Sequence, residues 1–167
     1  MKINMIAAMD SARAIGKKNT LPWRIPSDLQ RFKRLTLDKV IVMGYTTFKS
    51  LPGVLPQREH WVLSTKERDL PEGVVLFSTI DDLLKEAHRR GLEELWIVGG
   101  ANVYEQFLPL ADALLLTQVE TEVDGADTYF PDWDDMGFKM EKSEIGMQKP
   151  DDEFYFEYEL WTRTKKK

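Results

Sequence analysis

Residues 94–109 read ELWIVGGANVYEQFLP: a short apolar run ends on Gly99 and Gly100 and passes at once into a helical pattern that stops at Pro109. A continuous apolar run of that length reads as a buried strand. A strand feeding directly into a helix is half of a crossover between parallel neighbours, so this stretch points to an α/β layered protein. The paired glycines permit close backbone approach, and the N–H groups at the helix start can face an anion. Residues 39–53, KVIVMGYTTFKSLPG, repeat the arrangement, with Gly44 after a strand and Thr46, Thr47 and Ser50 near a helix start. Two such seats on one sheet suggest a dinucleotide across strand ends, although glycine turns with threonine caps would give the same letters. Neither G-x-G-x-x-G nor a G-x-x-x-x-G-K-[ST] loop occurs, which excludes the standard Rossmann and ATPase loops.

Working outward, residues 2–9, 60–64, 73–77 and 113–120 are further short apolar runs bounded by turn residues and read as strands. Between strands, Pro26 to Leu35 is a helix pattern whose Ser27 and Gln30 suggest a capping box, and Ile80, Leu83, Leu84 and Ala87 keep helical spacing until Gly91. Residues 154–161, FYFEYELW, alternate Phe154, Phe156, Tyr158 and Leu160 with Tyr155, Glu157 and Glu159, the period of a strand with two unlike faces at an antiparallel edge. The acidic stretch 124–137 reads as a solvated loop without a metal. No linker or repeat divides the 167 residues, so residues 1–167 are expected to form a single domain, with 165–167 a frayed tail.

Composition removes several classes. The chain has no cysteine, hence no disulfide, thiolate nucleophile or cysteine-bound metal, and its two histidines, His60 and His88, read as ordinary residues. A formal charge of −5 has the wrong sign for a phosphate-backbone binder, so no nucleic-acid partner is expected. There is no apolar run long enough for a membrane span and no signal peptide in MKINMIAAMD, and the expected location is cytoplasmic.

The polar segment 15–34, IGKKNTLPWRIPSDLQRFKR, feeds Trp23 into the first helix pattern, where Asp28 shares a face with Phe32 and Leu35 at i+4 and i+7. Two readings stand side by side. An acid in a first turn complements the helix dipole, whereas a carboxylate in an apolar pocket has a raised pKa and can hold a proton or pair with a heterocycle through two parallel hydrogen bonds.

Taken together, the order AAMD…IG…LPW…PSDL…F, then VMGYTTF…LPQR, then VGGANVYEQFLP, then LTQVE…DGADTYFP closely resembles the dihydrofolate reductase family over nearly the whole chain. The resemblance implies a mixed eight-stranded sheet, mostly parallel with an antiparallel C-terminal edge, flanked by about four helices. It implies NADPH-dependent reduction of dihydrofolate to tetrahydrofolate, by hydride transfer to pterin C6 and protonation at N5. Asp28 matches the single acidic active-site residue, Thr117 its hydroxyl partner, Leu21 the covering position of a mobile loop over 10–24, and Trp23 its substrate end. Ile6, Ala8, Leu29, Phe32, Leu51, Leu55, Val98 and Tyr104 are implied as further substrate contacts, with Arg58 on the glutamate α-carboxylate. For the cofactor the resemblance implies Ala8, Ile15, Gly16, Gly44, Tyr45, Thr46, Thr47, Ser64, Thr65 and Lys66 in the first half of the chain. In the second half it implies Val98, Gly99, Gly100, Ala101, Asn102, Val103, Tyr104 and Gln106, with a cis peptide joining the paired glycines.

The departures lie at the adenosine end. Tyr45 and Asn102 stand where the family commonly has basic residues for the 2′-phosphate, leaving Ser64 and Thr65 as hydroxyl donors with Lys66 or Arg68 as charged substitutes. A weaker than usual preference for NADPH over NADH is therefore expected. Ala101 replaces a glycine and Ala126 lengthens its loop by one residue. The riboflavin-pathway reductases share the fold but lack the Trp23–Asp28 pairing. Intact Asp28, Trp23, Thr117 and Arg58 argue against a silent ligand-binding relative. The expected partners are dihydrofolate and antifolate inhibitors, and the expected state is a monomer.

Overall fold

Eight strands form one sheet in the order β5-β4-β3-β6-β1-β7-β10-β9. The coordinates are a computed structural model in which residues 1–18 and 20–164 are described; the expected tail at 165–167 lies outside them. In chain order the elements are β1 (Lys2–Met9), β2 (Ala14–Gly16), α1 (Pro26–Thr36), β3 (Val40–Gly44), α2 (Tyr45–Ser50), β4 (Glu59–Leu63) and β5 (Val75–Phe77). There follow α3 (Ile80–Arg89), β6 (Glu94–Gly99), α4 (Ala101–Phe107), β7 (Ala113–Val119), β8 (Thr128–Tyr129), β9 (Phe138–Ile145) and β10 (Phe156–Arg163). Neighbours from β5 to β7 are parallel, and β10 lies antiparallel to both β7 and β9. The fold class expected from the sequence is the one observed, with four α-helices among the described residues. None of these helices is long and apolar enough to cross a membrane.

Strand periodicity separates the two faces of the sheet. Ile3, Met5, Ala7 and Met9 of β1 join Leu95 and Ile97 of β6 in a core with Leu83 and Ala87 of α3 and Val103, Tyr104 and Phe107 of α4. Ile6 and Trp96, one residue out of phase, join Ile41, Met43 and Phe48 on the other face, where Phe32 and Leu35 of α1 cover them. Burying each such large apolar side chain contributes about 1.5–3 kcal/mol.

Two sequence expectations need correction, and one strand had none. The strand expected over 73–77 spans only Val75–Phe77, because Pro71, Glu72 and Gly73 form the preceding turn. β9 lacked a clear signature because most of it is exposed, with Phe138 its one half-buried apolar residue. Within the stretch expected to be only loop, Thr128–Tyr129 pairs antiparallel with β2 in a second, two-stranded sheet.

The capping box is not formed either. Helix α1 begins at Pro26, with Ile25 at its N-cap and no cap bond from its own side chain. The Asp152 carboxylate, 125 residues away, instead accepts from the Ser27 backbone N–H at 3.0 Å and the Ser27 hydroxyl at 2.6 Å. A carboxylate there satisfies an orphan donor and complements the positive end of the helix.

Candidate active site

The carboxyl ends of the parallel strands open on a cleft of about 710 Å³, where ligands of open α/β sheets bind. Ala8 belongs to β1, Gly44 ends β3, Ser64 follows β4, Ser78 follows β5, Gly99 ends β6 and Thr117 lies late in β7; all line it. Among the described residues, Asp28 and Arg68 are the only charged side chains in its walls.

Asp28 projects from the first turn of α1 with Leu29 and Phe32 beside it, and Ile6, Leu51 and Val98 complete an apolar surround. Thr117 sits opposite Ala8 across the β1–β7 ladder, and its buried hydroxyl donates to Asp28 Oδ1 at 2.7 Å. Burial pushes the Asp28 carboxyl above its ordinary pKa, only partly offset by the Thr117 hydrogen bond and the charge of Arg31. Of the two readings open in the sequence, the geometry supports the pocket acid, since the helix dipole alone would hold the pKa down. Arg31 itself lies over the Tyr158 ring at 3.9 Å.

At the far end, the Gly99–Gly100 peptide is cis, as expected, and the helix α4 follows. A Cβ on Gly100 would stand 3.2 Å from Thr47 Oγ1, and one on Gly44 would stand 3.2 Å from Val103 Cγ2. Backbone and small side chains thus make a seat that any larger residue would fill. Ala101, Asn102 and Gln106 line its α4 side and Tyr45, Thr46 and Thr47 its α2 side, with Ile15 and Gly16 across the opening. Tyr104 donates its buried hydroxyl to the Ile6 carbonyl at 2.7 Å, tying α4 to β1, and burial pushes this phenol far above its usual pKa.

Arg68 is held over the Tyr45 ring at 4.0 Å. Its Nε donates to Ser64 Oγ at 3.1 Å, and the Lys66 backbone N–H donates to the same oxygen at 3.2 Å. With its oxygen accepting twice, the Ser64 hydroxyl proton is left to point elsewhere. Of the two expected charged substitutes, Arg68 lines the cleft and the Lys66 side chain does not.

Leu21, half exposed, stands at the mouth in the loop following β2. This loop is fastened at both sides. The buried Asp10 carboxylate accepts from the N–H groups of Ala12, Ala14 and Val123 at 2.8–2.9 Å, and Asp127 accepts from the Lys18 N–H at 2.9 Å.

Three further residues expected at the site stand outside the cleft wall. Trp23 is buried in a cluster with Ile25, Val119 and Phe156, against which Ala8 of the cleft wall packs. Leu55 and Arg58 belong to the adjoining turn, where Arg58 Nε donates to the Pro56 carbonyl at 3.0 Å. Ser50, read with Thr46 and Thr47 as part of a seat, lines the cleft, and so do Thr20, Leu63, Ser78, Thr79 and Thr128, which the sequence did not single out. Ser78 and Thr79 follow a strand just as Ser64 does, which is the signal that could have found them.

The fold and this cleft define a dinucleotide-type α/β protein with one pocket acid. The family model described as Dihydrofolate reductase matches residues 2–163, and the chain belongs to that family. It is 37% identical over 161 residues to the dihydrofolate reductase of Bacillus subtilis, covering 96% of this chain and 94% of that one. Dihydrofolate reductase type 3 of Salmonella typhimurium is 40% identical over 144 residues, covering 86% and 87%. Among solved structures, dihydrofolate reductase from Enterococcus faecalis complexed with NADP(H) and RAB-propyl superposes with a TM-score of 0.89 at 28% identity, covering 98% and 97%.

Proposed function

We propose that this enzyme reduces 7,8-dihydrofolate to 5,6,7,8-tetrahydrofolate with NADPH, and that Asp28 is its proton-managing group. The observation that carries the assignment of Asp28 is a lone carboxyl at the apolar end of a strand-end cleft, hydrogen-bonded to Thr117 and raised in pKa by burial. The seat formed by Gly44, Thr47, Gly99 and Gly100 fits a pyrophosphate, because it offers backbone and hydroxyl groups in a space a Cβ would close.

The chain's part in the reaction follows from these residues. Ionised Asp28 accepts two parallel hydrogen bonds from the amino-pyrimidine edge of the pterin, the geometry that fixes the ring plane. Thr117 donates to Oδ1 and so turns the carboxylate toward the pocket. Burial raises the proton affinity of this carboxyl, which supports protonation at N5. Ile6, Leu29, Phe32 and Leu51 exclude water around the pterin, and Leu21 closes the mouth. Bound across the strand ends, NADPH supplies the hydride. The buried cluster that contains Trp23 supports this site through Ala8, which packs against it and lines the cleft. Where the substrate leaves the cleft, Leu55 meets the aminobenzoyl ring and Arg58, with Nε committed to Pro56, turns its Nη edge to the glutamate α-carboxylate.

At the adenosine end, Arg68 and the Ser64 hydroxyl take the 2′-phosphate. One guanidinium then stands where Tyr45 and Asn102 have displaced two basic positions. The preference for NADPH is retained but reduced, with a kcat/KM ratio over NADH below about a thousand. Diaminopyrimidine antifolates bind Asp28 by the same paired hydrogen bonds, and the enzyme acts as a monomer.

Following NADPH absorbance with and without dihydrofolate, in parallel with NADH, tests the reading. Substrate-dependent oxidation is expected. A folded protein that binds folate but turns over neither cofactor would overturn it in favour of a silent relative.

A further inference from the structure

His60 is almost fully buried in β4, and both of its ring nitrogens are spent on the backbone of the turn that precedes it. Nε2 lies 3.0 Å from the Leu55 N–H and Nδ1 lies 3.1 Å from the Arg58 carbonyl oxygen. An amide N–H can only donate and a carbonyl can only accept, so Nε2 is the bare nitrogen and Nδ1 carries the proton. The ring is therefore neutral and fixed in one tautomer, and burial holds its pKa below the usual histidine value. Phe48, itself buried in the core beneath α1, packs against the ring at 6.1 Å between centroids.

The turn so bridged carries two residues assigned above to the substrate's tail, Leu55 and Arg58. It needs fastening, since Gln57 adopts a positive φ of 60° and its other ties among the described residues are the Arg58 Nε bond to the Pro56 carbonyl, internal to the turn, and a backbone bond from the Asp38 N–H to the Gln57 carbonyl at 2.7 Å. We propose that His60 is a positioning residue for the tail of the substrate: its donor–acceptor pair spans the 55–58 turn and sets Leu55 and Arg58 relative to the cleft. This inference rests on the reading that Arg58 meets the glutamate α-carboxylate. His60 lies beyond the cleft wall and touches no part of the pterin pocket. Its influence falls on the aminobenzoylglutamate and not on the reacting ring.

The test compares dihydrofolate with 6-methyl-7,8-dihydropterin, which has the reacting ring and no tail. His60→Phe keeps an aromatic ring but strands the Leu55 N–H and the Arg58 carbonyl. The expected result is a rise in KM for dihydrofolate of about tenfold, the scale of a lost pair of backbone hydrogen bonds, with kcat within about twofold and the dihydropterin constants unchanged. The dissociation constant for folate, read by fluorescence without turnover, rises by the same factor, and that for pterin does not. His60→Gln, which keeps a donor beside an acceptor, restores most of the loss. Equal losses for both substrates, or no change in the dihydrofolate KM, would overturn the proposal. Arg58→Leu separates the two readings: if it leaves the dihydrofolate KM unchanged, the tail assignment fails; if it raises KM while His60→Phe does not, only the role of His60 fails. Should His60→Phe not fold, the long-range proton–nitrogen spectrum of the unaltered enzyme decides, since an Nε2-protonated ring excludes the bridge and an Nδ1-protonated ring supports it.

Discussion

The two ends of the cleft carry one charge each and hold it by opposite means. Asp28 comes from a helix, is gripped by a hydroxyl of the central sheet, and is surrounded by apolar side chains. Arg68 comes from the loop between β4 and β5, lies over the face of Tyr45 and shares its Nε with a serine. Desolvation dominates at the Asp28 carboxyl, so its proton affinity is set by the fold; Arg68, half-buried, offers an affinity for whatever anion arrives. On the proposed reading chemistry falls to one end and selectivity to the other, and mutations at the two ends should fail differently.

The largest effect is expected from Asp28→Asn. Loss of a positioned acid removes roughly 10²–10⁴ in rate, so kcat at neutral pH should fall by at least a hundredfold with the thermal transition retained. Activity recovers partly in acid, where dihydrofolate arrives protonated. Full activity at pH 7 would reduce Asp28 to a helix-dipole residue and erase the contrast. Arg68→Ala comes next: loss of a charge-assisted contact of about 1.5–3 kcal/mol predicts a roughly tenfold or greater rise in the NADPH dissociation constant, with NADH binding unchanged. Equal weakening of both cofactors would mean that Arg68 does not read the 2′-phosphate.

A finer test of the acid end is Thr117→Val. The Thr117 hydrogen bond lowers the Asp28 pKa against the dominant effect of burial, so its removal should move the alkaline limb of the kcat profile to higher pH. An unmoved limb would place the control of that proton elsewhere. The smallest effect is that of Asp152→Ala at the start of α1, where losing a cap costs about 1 kcal/mol, a melting shift of roughly 2–4 °C for a chain of this size. The folded pKa of Asp152 is depressed by its hydrogen bonds to Ser27 and Lys149, which prevail over burial. Its stabilisation is therefore complete above the unfolded carboxylate pKa and is lost as pH falls through the lower folded value. The difference between wild type and variant in a pH series of melts should vanish in that acid range.

How legible these features were depends on the reach of the interactions involved. The strand-to-helix passages at Gly44 and Gly99 were readable because turn chemistry and periodicity are local. Asp28 was readable as a candidate from its place among Phe32 and Leu35, but not as a settled one, since the same letter serves the helix dipole. The Ser27–Gln30 box failed because Asp152, remote in sequence, arrives at the helix start and outcompetes it. Trp23, expected near the substrate end, joins a buried cluster against which Ala8 of the cleft wall packs, and His60 reads as an ordinary residue although its ring spans a turn. Trp23 packs with Val119 and Phe156, remote in sequence, whereas the partners of His60 lie only two and five residues away and the letters do not say which way the ring turns.

By itself, then, the sequence determined the family and the alternation of strands and helices, and it offered the glycine seats and Asp28 as candidates, because periodicity, turn chemistry and motif order are written in short contiguous stretches. Only the tertiary structure decided which of Lys66 and Arg68 reaches the cleft, what caps α1, what Trp23 packs against and what fastens the 55–58 turn. Those outcomes depend on burial and on contacts between segments up to 125 residues apart, where the cost of an unpaired polar group selects a partner that sequence distance hides.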